Sequence, residues 1–92
     1  MLPTKRKKLK EIFGQIVSVS GIVDNIDDLN NRVCINNVVI FNDEDILEID
    51  HIWFNKDRDY EKGEEVYING EISSYQRKDG SWDYNLVIYN YK

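Results

Sequence analysis

Over most of the chain, apolar residues recur at every second position, which is the period of a β-strand that buries one face. The first alternating segment begins at Gln15 and places on one face Val17, Val19, Gly21 and Val23. A glycine in the middle of a strand is typical of a bulge or a sharp bend, so we expect this strand to curve strongly. The polar residues 24 to 31 predict a connecting loop.

The second and third predicted strands are less regular than the first. In the segment from Arg32 to Phe41, the apolar positions change parity at Asn36 and Asn37, which a bulge or a tight turn explains. Residues 46 to 54 satisfy both an alternating and a helical spacing. We predict a strand there because β-branched and aromatic residues dominate its C-terminal end. The charged residues that follow, 55 to 65, predict a linker.

The last two alternating segments predict a β-hairpin. The inward face of the fourth strand carries Val66, Ile68, Gly70 and Ile72. Asp79 and Gly80 supply the turn, because glycine tolerates the positive φ that a tight hairpin requires. One face of the fifth strand carries Trp82, Tyr84, Leu86 and Ile88. This shared parity predicts that Trp82 and Tyr84 face the interior.

A helical spacing of apolar residues stands out at the start of the chain, where residues 4 to 13 predict a short helix. The residues that indicate it are the N-cap Thr4, the apolar Leu9, Ile12 and Phe13, and the helix-ending Gly14. Five strands with turn signals about every ten residues predict a mainly β fold, a small five-stranded barrel with a short N-terminal helix. We divide the chain into a basic tail and helix, residues 1 to 14, and a barrel, residues 15 to 92.

One segment resembles a known family of small barrels. Residues 62 to 72, KGEEVYINGEI, are similar to the stretch that leads into the fourth strand of OB-fold proteins, bacterial single-stranded DNA-binding proteins included. In that pattern a glycine and an acidic residue precede a strand that ends in a second glycine. A narrower resemblance covers residues 50 to 86, through DHIW, YQRKDG and DYNL, to short OB-like proteins of Gram-positive phages and conjugative elements. The resemblance spans under half of the chain and implies an OB-like barrel.

The resemblance also implies where a ligand would bind. In OB-folds that bind nucleic acid, the ligand crosses the second and third strands and is held by the loops after the first and fourth strands. By this analogy Arg77 and Lys78 contact phosphates, and Tyr75 stacks a base, a role that Trp82 or Tyr84 would also fit. The alternative is that the two cations simply decorate an exposed hairpin tip.

Two residues of the second and third predicted strands are also candidates for the site. Arg32 is either a cation of the binding groove or a solvated side chain at the start of its strand. Trp53 is either a stacking platform or part of the core, and a domain this small favours the core. Parity does not choose for Trp53, because the register around it is ambiguous.

The charge distribution limits any attraction for nucleic acid. Of the twelve basic residues, five precede Glu11, namely Lys5, Arg6, Lys7, Lys8 and Lys10. The remaining seven face all seventeen acidic residues, so the body carries a formal charge of −10. An acidic body does not attract polyanions by itself. The run from Lys5 to Lys8 either adds phosphate contacts that compensate for this charge or serves as a solubilising tail.

The acidic residues themselves suggest a second kind of function. A band on the third strand and its preceding turn contains Asp43, Glu44, Asp45, Glu48 and Asp50. Such a band can present phosphate-like charge to the basic groove of another protein, which would make the chain an inhibitor or adaptor of a nucleic-acid-binding protein. The simpler interpretation is a solvated face.

Other classes of function find little support in the sequence. With Cys34 as the only cysteine and His51 as the only histidine, no disulfide and no Cys/His zinc site forms within one chain. No glycine-rich phosphate loop appears, and His51 has no evident nucleophile partner, so we expect no enzyme and no cofactor. No apolar run approaches the roughly 18 residues of a membrane span, and we expect a cytoplasmic protein. The sequence therefore favours a module for single-stranded DNA or RNA over the acidic protein-binding alternative.

Overall fold

The computed structural model describes residues 10 to 42 and 45 to 89 of the 92-residue chain. Its five strands are β1 (Ile16–Asp27), β2 (Arg32–Asn42), β3 (Asp45–Asn55), β4 (Glu65–Gln76) and β5 (Trp82–Ile88). They close into a barrel in the order β1-β2-β3-β5-β4, with parallel pairing between β3 and β5 and antiparallel pairing elsewhere. The predicted mainly β fold and five-stranded barrel are confirmed, and the closed barrel is consistent with an OB-like fold.

The predicted N-terminal helix is not seen among the described residues. A single 3-10 turn spans Lys10–Ile12, and residues 1 to 9 lie outside the described part of the chain. Ile12 is buried as expected, whereas Phe13 is 51% exposed. The turn ends because the backbone joins the barrel at once, where the N–H of Gly14 donates to the carbonyl of Ile72 at 2.8 Å. In the described residues, no helix has the length and apolar character needed to cross a membrane.

The bulge that the apolar pattern predicts at Gly21 and Asn36 is present. Ser20 pairs with Val39 and Ile22 pairs with Asn36, so two residues of β2 lie opposite the single Gly21. A Cβ at Gly21 would lie 2.9 Å from Cδ1 of Ile35 and 3.0 Å from the backbone oxygen of Asn36, so any larger residue would require these neighbours to shift. The extra residue in β2 changes which parity faces the core, as the sequence predicted.

Strand β1 is longer than predicted. It pairs with β2 as far as Asp27, although residues 24 to 27 were expected in a loop. A second register shift, between Val23 and Asn25, lets these polar residues keep their backbone pairing. The remaining loop is tightened by Asp27, whose carboxylate accepts from the backbone and side-chain nitrogens of Asn30 at 3.2 and 2.8 Å. These bonds lower the pKa of Asp27.

The segment with the ambiguous period forms a strand, β3, and the parity of its buried residues changes along its length. Its N-terminal half buries Ile49, and its C-terminal half buries Ile52 and Phe54. Because consecutive side chains point to opposite faces, burial of both neighbours turns Trp53 to the outside of the barrel. The sequence-based preference for Trp53 in the core was wrong, since the side chain is only partly buried.

The linker after β3 carries a core residue that the charge pattern conceals. Tyr60 is buried and packs edge-on against Phe54, with 5.4 Å between ring centroids. Its hydroxyl donates to Asp57, and the guanidinium of Arg58 lies 3.9 Å from its ring centre. Burial and the bond to Asp57 raise the pKa of Tyr60. The loop between β3 and β4 therefore helps to close the core.

Candidate nucleic-acid interface

The outer surface of the barrel across β2, β3, β5 and β4 brings separate parts of the sequence together. The register pairs Cys34 with Trp53, Trp53 with Asn85, and Asn85 with Ser73. Paired residues on neighbouring strands share a face, so this row runs continuously over four strands. Two positions along their strands from this row, and on the same face, lie Arg32 and Tyr75.

Three residues on this face form an arginine-aromatic cluster, which consists of Arg32, Trp53 and Tyr75. The guanidinium carbon of Arg32 lies 4.8 Å from the centre of the Trp53 ring and 5.1 Å from that of Tyr75. Both distances are within the range of cation–π attraction. The first residue of β2, the end of β3 and the end of β4 therefore meet around one guanidinium.

The polar groups of this guanidinium are not consumed by the protein that the structure describes. No hydrogen bond or ion pair joins the guanidinium of Arg32 to any described residue. The pKa of Asp27 is lowered chiefly by its bonds to Asn30, and the charge of Arg32 adds a smaller effect in the same direction. A guanidinium that lies against aromatic rings and bonds to no described residue keeps its N–H donors for carboxylates, phosphates or base edges. The cluster thus presents fixed donors beside two aromatic surfaces.

Arg77 lies on the same face but is already committed to a carboxylate. Its Nη2 donates to Oδ2 of Asp83, a residue that is only 8% exposed. The other oxygen of Asp83 accepts from the backbone N–H of Tyr84 at 2.8 Å. A buried carboxylate needs such a partner, because an unpaired charge away from water is strongly unfavourable. Arg77 therefore holds the base of the hairpin together, in addition to any contact with a ligand.

This ion pair gives a direct prediction about stability. Replacing Arg77 with alanine removes the guanidinium that contacts the buried carboxylate of Asp83, so we expect a lower melting temperature than in the wild type. The matched control is Lys78→Ala, since Lys78 is exposed and has no ion pair with a described residue. Thermal denaturation followed by circular dichroism should show a clear loss for Arg77→Ala and almost none for Lys78→Ala. Equal melting temperatures of the two variants would contradict a structural role for Arg77.

The turn of the hairpin has the geometry that its sequence predicts. Gly80 has a φ of 91°, and its N–H donates to the carbonyl of Arg77 at 2.9 Å. Lys78 stands at this exposed tip, where it can reach a ligand. The other predicted cations, Lys5, Arg6, Lys7 and Lys8, lie outside the described residues.

The predicted burial of Trp82 is wrong. Trp82 is 68% exposed, whereas Tyr84 packs partly against the core. The two share a parity, but β5 pairs with β3 only at Asn85 and Leu86. The first residues of β5 therefore have only β4 beside them, and at the level of Trp82 no barrel interior exists to receive an inward side chain.

Two buried amide oxygens on the outer face lack a partner among the described residues. They are Oδ1 of Asn36 and Oδ1 of Asn85. Asn85 pairs with Trp53 and therefore lies beside the cluster. Asn36 pairs with His51, two residues before Trp53 on β3. A buried acceptor without a hydrogen bond costs about 1 to 3 kcal/mol. The outer face therefore contains buried polar groups as well as aromatic side chains.

The structure describes three of the five residues of the acidic band. Asp45, Glu48 and Asp50 are exposed on β3, and Asp50 contacts Nδ1 of His51 at 2.8 Å. Asp43 and Glu44 lie outside the described residues. Within the described ranges, no group of three or more His, Cys, Asp or Glu side chains is arranged to hold a metal ion. Cys34 is buried.

Part of this site could be predicted from the sequence. The candidates from the sequence included Arg32, Trp53 and Tyr75. Nothing in their spacing along the chain indicates that they touch, because they lie on three different strands. Asp83 was missed, since an acidic residue in an alternating strand resembles any other solvated position. Comparison with protein-family models, with curated proteins and with solved structures returned no match to this chain.

Proposed function

We propose that this chain is a binding module for single-stranded nucleic acid and that the ligand crosses the arginine-aromatic cluster. The observation that supports the proposal is the position of one guanidinium over both Trp53 and Tyr75. Single strands are bound by aromatic faces that stack bases and by cations that follow the phosphates. The cluster offers both groups on a strand surface, and the exposed Lys78 lies three residues after Tyr75 in the chain.

The preference for a single strand follows from the chemistry of the cluster. The faces of the Trp53 and Tyr75 rings match the faces of bases, which are covered in a duplex by stacking. A duplex would instead require a broad basic surface, because its affinity comes mainly from phosphate contacts. The body from Glu11 onward has a formal charge of −10, so this requirement is not met.

The small number of phosphate contacts that the described surface offers predicts a shallow salt dependence. Two phosphate contacts, from Arg32 and Lys78, correspond to a slope of about −1.4 in a plot of log affinity against log salt concentration. Stacking supplies the remainder of the affinity and responds little to salt. The module should therefore retain measurable binding to a single strand at salt concentrations that release strongly basic proteins.

The proposal is tested by removing the guanidinium. We expect Arg32→Ala to weaken binding of a fluorescent single-stranded oligonucleotide by about tenfold or more, because a hydrogen bond to a charged group contributes about 1.5 to 3 kcal/mol. The salt slope should fall to about −0.7. The measurement is fluorescence anisotropy at several salt concentrations, with DNA and RNA oligonucleotides and a duplex of the same length.

The matched control is Lys62→Ala, which removes the same charge from the loop between β3 and β4. Its neighbour Gly63 is bonded to Val23 of β1, a strand that contributes no residue to the cluster. Wild-type affinity for this variant would separate a local contact from a general charge effect. No binding of any single strand by the wild-type chain at low salt, or tighter binding of the duplex, would overturn the proposal.

The biological setting of the proposal rests on the resemblance of residues 50 to 86 to short OB-like proteins of phages and conjugative elements. On that basis we assign the module to a phage or mobile element acting in the cytoplasm. The proposed activity is binding without catalysis. Replication, transfer and repair of such elements all expose single strands that a small module can occupy.

A second candidate function is supported by the acidic surface of β3. Asp45, Glu48 and Asp50 are exposed there, and the neighbouring Phe41 and Ile46 form an exposed apolar pair across β2 and β3. Charge at the rim and apolar area at the centre are typical of a protein interface. The chain would then inhibit or recruit a host nucleic-acid-binding protein through that protein's basic groove. A triple variant, Asp45→Asn with Glu48→Gln and Asp50→Asn, should lose such a partner while keeping its affinity for oligonucleotide.

A further inference from the structure

Trp82 is the largest apolar side chain of the hairpin that does not pack into the core. About two thirds of its surface is in water, although tryptophan gains more from burial than most residues. Tyr67 is also exposed on β4, but its hydroxyl is bonded to Glu65. Neither the core nor a hydrogen bond to a described residue accounts for Trp82 at this position.

The hairpin turn next to Trp82 is well ordered by hydrogen bonds. The N–H of Arg77 donates to the carbonyl of Ser81 at 2.7 Å, and Nε2 of Gln76 donates to the carbonyl of Gly80 at 3.0 Å. Oδ1 of Asp79 accepts from both the N–H and the hydroxyl of Ser81, at 2.9 and 2.6 Å. These bonds order the backbone that carries the indole, so the turn itself loses little conformational freedom when the ring binds a ligand.

Trp82 and Tyr75 lie on opposite faces of this hairpin. Trp82 pairs with Gln76, whereas Tyr75 pairs with Asp83, the next residue along each strand. Consecutive side chains of a strand point to opposite faces, so the two rings are separated by the thickness of the hairpin. Lys78 stands at the tip between these two faces.

We infer that Trp82 is a second stacking platform, which takes a base of the same strand after that strand has passed around the hairpin tip. This inference rests on the proposed function and extends it to a ligand of several nucleotides. The cluster binds one part of the strand, Lys78 contacts a phosphate at the tip, and Trp82 stacks a base on the far face. Short oligonucleotides reach only the cluster, whereas longer ones engage both faces.

The two tryptophans of the chain make this arrangement directly observable. Trp53→Phe leaves Trp82 as the only tryptophan, and Trp82→Phe leaves Trp53. Oligothymidylates of increasing length are titrated into both variants while tryptophan fluorescence is recorded. We expect the shortest bound oligonucleotide to quench Trp53 alone, and longer ones to quench Trp82 as well.

Affinities give an independent measure. Trp82→Ala should weaken binding of the long oligonucleotide by roughly 5- to 150-fold, the range found for removal of one stacking platform. Binding of the shortest oligonucleotide should be unchanged, whereas Arg32→Ala should weaken both. The control is Tyr67→Ala, which removes an exposed aromatic eight residues before Tyr75 on β4, where the strand pairs with β1, and it should leave both affinities at the wild-type value.

The failure of this inference is distinguishable from the failure of the proposed function. If the wild-type chain binds oligonucleotides but Trp82→Ala matches it at every length, the second platform does not exist and the cluster alone is the site. The same conclusion follows if Trp82 fluorescence stays constant while Trp53 is quenched. If no oligonucleotide of any length binds, the proposed function itself is wrong.

Discussion

Replacing Gly70 with alanine is expected to lower the free energy of unfolding by about 3 kcal/mol, a large part of the stability of so small a domain. A Cβ at this position would lie 2.6 Å from Cδ1 of Leu86 and 2.6 Å from the carbonyl oxygen of Val87. The leucine is buried in the core, and the oxygen belongs to the backbone of β5, so neither can move away cheaply. Strands β4 and β5 would have to separate.

Chemical denaturation followed by circular dichroism measures this effect, and the melting temperature should fall by roughly 12 to 24 °C. The matched control is Gly63→Ala, which makes the same substitution where no atom lies within 4 Å of the added carbon. Gly63 has a φ of 89°, so its replacement should cost about 1 to 2 kcal/mol through backbone strain alone. A loss for Gly70→Ala no greater than that for Gly63→Ala would show that the β4–β5 contact is looser than described.

Replacing Trp53 with alanine should weaken binding of a single-stranded oligonucleotide by roughly 5- to 150-fold through lost stacking, and further through the loss of Arg32 positioning. The indole has two roles on this face, because it offers a surface for a base and also positions the guanidinium of Arg32. Removal of the ring therefore affects stacking and phosphate contact together. The measurement is a binding isotherm at low salt, taken at a temperature where the variant is folded.

Two further variants interpret that result. Trp53→Phe keeps an aromatic face and should recover most of the affinity. If only the size of the indole mattered, the smaller phenylalanine would not restore the affinity. Tyr67→Ala removes an aromatic ring that is 76% exposed on the outer face of β4, where it pairs with β1, and should leave the affinity unchanged. If Trp53→Ala and Tyr67→Ala bind as the wild type does, the arginine-aromatic cluster is not the binding surface.

The strands and their inward faces were largely predictable, because alternation is a local property of the chain. The burial of Val17, Val19 and Val23 follows from their spacing, and the bulge opposite Gly21 follows from the parity change in β2. The turn at Gly80 could be predicted for a similar reason, since a positive φ selects glycine whatever surrounds it.

The predictions that failed concern residues whose surroundings come from distant parts of the chain. Trp82 has the parity of Leu86, yet it is exposed because β3 does not accompany β5 that far. Tyr60 lies in a charged segment, yet it is buried because the loop folds back against Phe54. In both cases the deciding neighbour belongs to another strand, and no pattern within the segment records it.

The alternation of apolar residues was sufficient to establish a small five-stranded β-barrel with a tight terminal hairpin, because backbone pairing and burial repeat every two residues. The candidate site depended on barrel closure. Arg32, Trp53 and Tyr75 come from three strands, and they meet only because the register aligns Trp53 with Cys34 on one side and Asn85 on the other. Side-chain contacts across strands follow register and closure, which are properties of the whole barrel, whereas the alternating pattern is written in each strand alone.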